Sequence, residues 1–589
     1  MCGIIGYSGN SPAFDYLYEG LKRLEYRGYD SAGVYINGTV VKQKGAVDEL
    51  LKSKVFLSNC GSCGIGHTRW ATHGAPSFAN AHPHGSGGIY IVHNGIIENS
   101  AKLRAELEDK GYAFVSETDT ECAVHLIRSL YEGDLLRALK AAARILSGSF
   151  AIAAAGPVEG EIAAVRKDSP LIAGIAESGD VHLASDVAAI ADKCQRLYAL
   201  GDMEFLRARP GSLEFFDIDG NALIKEQLII DRCYESSGLE GYSTFMEKEI
   251  NEGAAAVERT AAKLTAGEFS RLELSGINRL CFCACGTAYH AGCIGKLLAE
   301  RFAKIPASAE IASEFCAQTQ TEAAQTLYIF ISQSGETADT AAAMSAAMRL
   351  GARTAAVTNV SCSTLADFAG CAFRTYAGRE YAVASTKAYL AQLTFCLKLA
   401  QYLCDQKGID KDIFRPSKVK AVCRAIKRAS KDSGIQEVCE AVKGERQVYF
   451  LGRGADYLTA LEASLKLKEI TYIHSEAYPA GELKHGTLAL IEQGTRVIAF
   501  MTQRELKEKM LSNISEVKAR GAHVTVFTQF TDVQWSVRPD IIVKLPPAED
   551  WLMPLVSVVP AQRLACLVSR AKGINCDKPR NLAKSVTVQ

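Results

Sequence analysis

The chain has 589 residues, with 66 Lys and Arg balancing 66 Asp and Glu. At about 150 residues per domain that is three or four domains, and 48 % apolar with 22 % charged residues marks a globular chain, not a disordered one. Zero net charge argues against a protein that neutralises nucleic-acid backbones, so no nucleic-acid partner is expected, while one small phosphorylated ligand is still allowed.

Met1-Cys2-Gly3-Ile4-Ile5-Gly6 has neither the basic nor the long apolar segment of a secretory leader. No uninterrupted apolar run nears the ~18 residues of a membrane span. The best candidate, Trp551 to Ala561, is broken by Pro554 and Pro560. A cytoplasmic location with no membrane partner is therefore expected, and the 19 cysteines should be reduced thiols.

To about Arg232, short strands alternate with turns and two helices. Tyr90-Ile91-Val92-His93 then Asn94-Gly95 predicts a strand followed by a turn. A helix is predicted over Asp119 to Tyr131, opened by Thr118, Asp119, Thr120 and Glu121. Phe150–Ala154 and Ile162–Val165 predict strands, and the mixture predicts an α+β domain rich in antiparallel sheet. The polar stretch Glu235 to Gly241 reads as a linker. Beyond it, apolar strands such as Tyr328–Ile331 lead through polar turns into Ala-rich helices such as Ala338–Leu350. That is the βα alternation of a parallel sheet flanked by helices. The pattern occurs twice. Leu280–Cys285 with Gly286-Thr287-Ala288 is matched by Val448–Leu451 with Gly452-Arg453-Gly454, and Tyr328–Ile331 by Arg496–Met501. Two α/β domains are expected, divided near Pro416. Asp577 to Gln589 lack helical periodicity and taken alone read as a frayed tail.

Metal ligand sets are incomplete. Cys60 and Cys63 form a CxxC with no second pair, and Cys281, Cys283 and Cys285 alternate in an apolar strand, where a thiol is a small core residue. His82-Pro83-His84 reads as a loop feature, and no metal is expected.

Loss of Met1 would leave Cys2 with both a thiol and an α-amine, nucleophile and base in one residue. On Cys2 alone, an ordinary small residue is the commoner outcome, because activation needs a specific environment. His67-Thr68-Arg69-Trp70-Ala71-Thr72-His73-Gly74 sets a cation beside an aromatic ring and hydroxyls. His93-Asn94-Gly95 offers a side-chain amide and an uncovered backbone N–H, two donors for an oxyanion. Glu117-Thr118-Asp119-Thr120-Glu121 puts carboxylates at a helix start, so that Arg69 and Asp119 can meet the two charges of a free amino acid. With Cys-Gly-Ile-Ile-Gly at the start and Glu25-Tyr26-Arg27-Gly28-Tyr29-Asp30-Ser31-Ala32-Gly33, these segments resemble a class II glutamine amidotransferase domain. The resemblance implies thiol attack on the glutamine carboxamide, a glutamyl thioester and release of ammonia. It implies an oxyanion hole of Asn94 and Gly95, and glutamine binding by Arg69, Thr72, His73 and Asp119. It makes Trp70 a gate for ammonia passing internally to a second site.

In the duplicated half, Ser332-Gln333-Ser334-Gly335-Glu336-Thr337 collects hydroxyls and N–H groups at a helix start, where an anion is favoured; an ordinary cap is an equal reading. Glu380-Tyr381-Ala382-Val383-Ala384-Ser385-Thr386-Lys387 opens another helix in the same way. Glu462, Lys466 and Glu469 share one helical stripe, which on pattern alone is a solvated ion-pair face. His485 reads as a loop histidine. These segments, with Pro579-Arg580-Asn581-Leu582-Ala583-Lys584-Ser585-Val586-Thr587-Val588, resemble the paired sugar-isomerase (SIS) domains of sugar-phosphate amidotransferases, collinearly over nearly the whole chain. The resemblance implies that Thr287, Ser332, Gln333, Ser334, Thr337, Val383 and Ser385 hold the sugar phosphate. Lys584 would form a Schiff base at C2, and Glu469 beside Lys466 would move a proton between C1 and C2. His485 from a partner subunit of a homodimer would assist ring opening. Ala288 stands where that family often has Ser, so one hydroxyl at the sugar site is absent.

The expected architecture is an α+β N-terminal nucleophile hydrolase domain of layered antiparallel sheets (2–235), a linker (236–247), two α/β parallel-sheet SIS domains (248–415 and 416–576) and an active-site tail (577–589). The expected activity is transfer of the glutamine amide nitrogen to fructose 6-phosphate, giving glucosamine 6-phosphate and glutamate, with no metal or organic cofactor. Another class II amidotransferase would leave the SIS pair unexplained. A non-catalytic sugar-phosphate sensor would not need Cys2, Glu469, His485 and Lys584 together.

Overall fold

The structure is a computed structural model, and it describes residues 2–57, 60–70, 74–228, 238–320, 322–361, 363–431 and 434–586. The chain divides near residue 236 into two compact units.

The first unit holds two seven-stranded antiparallel sheets. In one, Gly3–Ser8 is central, flanked by Val181–Ala184 and Cys63–Arg69. In the other, Ile89–Ile97 pairs with Gly148–Ala155. Alternation along Gly148–Ala155 shows why the layers form. Ala151, Ala153 and Ala155 face inward with Ile4, Ile65 and Leu183 of the first sheet, while Phe150, Ile152 and Ala154 meet Val124, Ile127 and Leu139 of the covering helices. The helix Ala13–Leu24 covers the other sheet through Phe14, Leu17 and Leu21. The result is the predicted layered α+β domain.

The helix predicted from Asp119 runs to Ser129. The turn expected at Asn94-Gly95 is absent: the strand continues from Ile89 to Ile97, with Asn94 opposite Ala151 and Gly95 opposite Phe150. Gly95 keeps the strand paired at φ +123°, where a Cβ would collide with the Ser149 carbonyl oxygen.

The second unit contains two five-stranded parallel sheets built in the same order. Their central strands are Arg279–Ala284 with Thr326–Ser332, and Gln447–Gly452 with Arg496–Met501. The helix Pro416–Ala429 lies between the two sheets along the chain. The helix Phe245–Lys263 begins inside the stretch 236–247 read as linker, because the Thr244 hydroxyl accepts from Glu247 N and starts it there. Of the Glu235–Gly241 stretch, Glu235, Ser236 and Ser237 lie outside the described residues.

Trp551 to Ala561 is not broken by its prolines. Pro554 lies in the first turn of Met553–Ala571, where its missing N–H costs nothing, and Pro560 is carried inside the same helix. This helix, extended to Asp550–Ala571, is long and apolar enough to cross a membrane, but 89 % of its most apolar window is buried inside the molecule. It packs on the helix Ala455–Thr471.

Candidate functional sites

In the first unit, pairing of Gly3 with Thr68 puts Cys2 beside the end of the strand Cys63–Arg69. Cys2 Sγ accepts from Trp70 N at 3.4 Å and lies 3.6 Å from Trp70 O. Burial pushes its thiol up, against the pull of the Trp70 N–H and the Arg69 guanidinium. Asn94 Nδ2 donates to the Cys2 carbonyl at 3.0 Å, so the amide expected in the oxyanion hole touches the residue expected to supply the nucleophile. Asp119, at the start of its helix, accepts from Ile97 N at 2.8 Å, just beyond Asn94 and Gly95 on the same strand. Arg69 is buried and donates to Gly74 O at 3.1 Å. Cys2, Arg69, Trp70, Asn94, Gly95 and Asp119 thus sit on adjoining strand ends and one helix start. Thr72 and His73 lie outside the described residues.

Sequence reading passed over His67. Its Nε2 meets His93 O at 3.0 Å and Asn94 Oδ1 at 3.2 Å, and two acceptors require that nitrogen to carry the proton. His82 and His84, read as a loop feature, are buried; His82 Nδ1 lies 3.0 Å from the His67 ring. Burial holds His67 and His82 well below the usual histidine range, so this group is neutral at pH 7.

In the second unit, the turn after Thr326–Ser332 closes on itself. Ser332 Oγ lies 2.9 Å from Thr337 Oγ1 and accepts from Gly335 N at 3.0 Å, and Ser334 Oγ accepts from Glu336 N at 3.1 Å. Gly335 has φ +72°, and a Cβ there would strike Ser363. The turn opens the helix Ala338–Arg349, the place where an anion is favoured.

The Glu462, Lys466 and Glu469 stripe is not a solvated face. Glu462 and Lys466 side chains are 0 % and 1 % exposed, because their helix packs against Gly286–Leu298 of the first copy. Thr287 Oγ1 donates to Glu462 at 3.1 Å and accepts from Lys466 Nζ at 3.0 Å. His290 Nδ1 lies 2.7 Å from Glu462, and Lys466 pairs with Glu469 at 2.7 Å. Burial alone would push the Lys466 ammonium down; Glu469 and Glu462 overcome this and keep it charged.

As far as Val586 the tail is anchored, not frayed. Asp577 accepts from Phe245 N at 2.9 Å and Met246 N at 2.7 Å, and its carbonyl accepts from Val383 N at 3.0 Å. Arg580 N donates to the Tyr472 hydroxyl at 2.7 Å, and its guanidinium stacks 4.1 Å from that ring. Lys584 Nζ pairs with Glu380, with both side chains buried. Glu380 also accepts from Ser385 Oγ at 2.8 Å, Thr386 N at 2.8 Å and Ala388 N at 3.1 Å. Burial would push its carboxyl up, but Lys584 and these N–H donors hold it at about 2. Glu249 is buried close by and accepts from the Tyr381 N–H, and from Ala382 N at 3.3 Å. Burial, with the Glu380 charge adding to it, pushes Glu249 up to about 8. Glu249 and Glu380 are the acids that sequence reading did not single out; an isolated Glu carries no local signal. His485 lies exposed in the turn Glu482–His485 and, among the described residues, no hydrogen bond or ion pair joins it to the Lys466 group.

The second copy treats its equivalent turn differently. Asp456, in the first turn of Ala455–Thr471, reaches the turn after Arg496–Met501 and accepts from Thr502 N at 2.7 Å and from the Thr502 hydroxyl. It is 3 % exposed, and burial raises its carboxyl to about 6.

Known proteins match both halves. A glutamine amidotransferase domain family matches residues 71–192, and the SIS domain family matches residues 273–401 and 442–569. A glutamine–fructose-6-phosphate aminotransferase (isomerizing) from Caldanaerobacter subterraneus subsp. tengcongensis is 43 % identical over the full length of both chains, and one from Methanosarcina acetivorans is 40 % identical, again end to end. The solved C-terminal domain of glucosamine-fructose-6-phosphate aminotransferase from Francisella tularensis is 34 % identical with a TM-score of 0.53, covering 58 % of this chain and all of that one. With an amidotransferase domain, two SIS domains and end-to-end relatives, the chain belongs to the glutamine–fructose-6-phosphate aminotransferase (isomerizing) family.

Proposed function

We propose that the chain transfers the amide nitrogen of glutamine to fructose 6-phosphate, yielding glutamate and glucosamine 6-phosphate. The observation that carries this is one chain bearing Cys2 against Asn94, a buried Lys584 paired with Glu380, and a Ser/Thr-lined turn at a helix start. Cys2 attacks the carboxamide carbon, Asn94 and the Gly95 N–H stabilise the oxyanion, and ammonia leaves as the thioester forms. Water then releases glutamate. Arg69 and Asp119 bind the amino-acid charges, with Thr72 and His73 assisting. Trp70 gates the internal passage of ammonia.

At the sugar site, Ser332, Gln333, Ser334 and Thr337 hold the phosphate, and Val383, Ser385 and Thr287 line the sugar. Lys584 condenses with the C2 ketone, losing water. Ammonia attacks the imine carbon and expels Lys584. Glu469, beside Lys466, carries a proton from C1 to C2, leaving an amine at C2 and an aldehyde at C1. His485, exposed on its own chain, assists ring opening on a second copy, which makes the cytoplasmic enzyme a homodimer; sedimentation of the pure protein tests this.

Incubation with amide-15N glutamine and fructose 6-phosphate should yield 15N-glucosamine 6-phosphate by mass spectrometry. Absence of that product from protein with an intact N-terminal cysteine would refute the assignment.

A further inference from the structure

An amine attacks a ketone only as the free base, and the resulting carbinolamine loses water only when its oxygen is protonated. Both steps need a proton carrier at Lys584 Nζ. The side chain in contact with that atom is Glu380. Its Oε1 is pinned by Thr386 N and Ala388 N, at the start of the helix Lys387–Gln406. Its Oε2 faces Ser385 Oγ and Lys584 Nζ. One oxygen therefore anchors the carboxylate while the other meets the reacting nitrogen.

Three other charged side chains of this half have partners of their own. Lys387 pairs with Glu252. Glu249 accepts backbone N–H groups from Tyr381 and Ala382. Lys466 is held by Glu462 and Glu469. Thr386 N, Ala388 N and Lys584 keep Glu380 ionised in the resting pair, so the proton leaves Nζ only as the freed lone pair is taken up by C2.

We propose that Glu380 is the acid–base residue of Schiff-base formation at Lys584, taking the ammonium proton and returning it to the departing oxygen. This rests on Lys584 being the imine-forming lysine. The proton passes from Nζ to Oε2, and the freed lone pair forms the N–C2 bond as the carbonyl electrons move to oxygen. The Glu380 carboxyl protonates that oxygen as its carboxylate form recovers a proton from nitrogen. Glu380 then protonates the carbinolamine hydroxyl, the C2–O bond breaks, and water leaves. A protonated imine remains beside the Glu380 carboxylate, so charge is conserved from start to finish.

The test is borohydride trapping of fructose 6-phosphate on the full chain, with time-resolved quench and peptide mapping. Wild type should be labelled at Lys584. Glu380→Gln keeps an oxygen for Thr386 N and Ala388 N but carries no transferable proton. It should trap about 10²- to 10⁴-fold more slowly, with sugar affinity changed by only a few-fold. Glu380→Ala should be slow alone and recover in added formate. Labelling of wild type away from Lys584 overturns the lysine assignment and this inference together. Correct labelling with a wild-type rate in Glu380→Gln overturns the inference alone. So does a loss matched by equal loss of sugar affinity, or one that formate does not restore, since both outcomes would make Glu380 only a support for its helix.

Discussion

The Asn94 amide is held at both ends: Nδ2 donates to the Cys2 carbonyl, and Oδ1 receives the His67 N–H. This fixes which way the amide faces, as an oxyanion donor requires. Asn94→Ala should lower glutaminase kcat by about 10²- to 10³-fold, with the fold intact by circular dichroism. Gly95→Ala should act differently. At φ +123° and against the Ser149 carbonyl, a methyl group forces the strand apart. We expect a loss of about 2 kcal/mol or more of stability in the first unit, seen as an earlier denaturant transition. Glu249 gives a pH signature. Its folded carboxyl keeps its proton to about pH 8, whereas the unfolded one releases it near 4.5. In that window the folded state binds more protons, so stability falls as pH rises and levels off above about 8. Glu249→Gln should remove this slope, and urea melts of both proteins from pH 5 to 9 would show it.

At the scale of elements, Asp577 both caps the helix Phe245–Lys263 and braces the Val383 backbone. Asp577→Ala should weaken this anchorage by about 1–2 kcal/mol. Limited proteolysis should then cut sooner after Cys576, and imine trapping at Lys584 should slow. The sequence made some elements plain and hid others, for physical reasons. Apolar runs ending in Gly or Ser turns, as in Thr326–Ser332, state their strands because both faces are buried. Asn94-Gly95 imitates a hairpin turn because a glycine at positive φ serves a distorted strand equally well. Glu462, Lys466 and Glu469 imitate a wet ion-pair row, since i, i+4 spacing does not say what covers a helix; only packing on Gly286–Leu298 does. The tail looked frayed because its order comes from Asp577, Arg580 and Lys584 reaching distant partners, not from a local period. Cys2, Arg69, Asn94, Gly95 and Asp119 were legible through resemblance, and the structure groups them. His67 meets His93, Glu249 meets Tyr381 and Glu380 meets Lys584, partners distant along the chain that no local pattern announces.

At the scale of the molecule, the two sheets share one strand order, yet the copies contribute unlike chemistry. The Ser332–Thr337 turn and Glu380 come from the first, while Glu462, Lys466 and Glu469 come from the second, where Glu462 reaches Thr287 and His290 and Lys466 reaches Thr287 in the first. The isomerase half expressed without the amidotransferase domain should still trap fructose 6-phosphate at Lys584 while consuming no glutamine; mass mapping and a glutamate assay check this. Asp456 settles how many sugars such a protein should hold. Its carboxylate already fills the turn after Arg496–Met501, as a built-in occupant. Titration calorimetry with fructose 6-phosphate should therefore saturate at a stoichiometry of one per chain with a single-site isotherm, the duplicated fold notwithstanding.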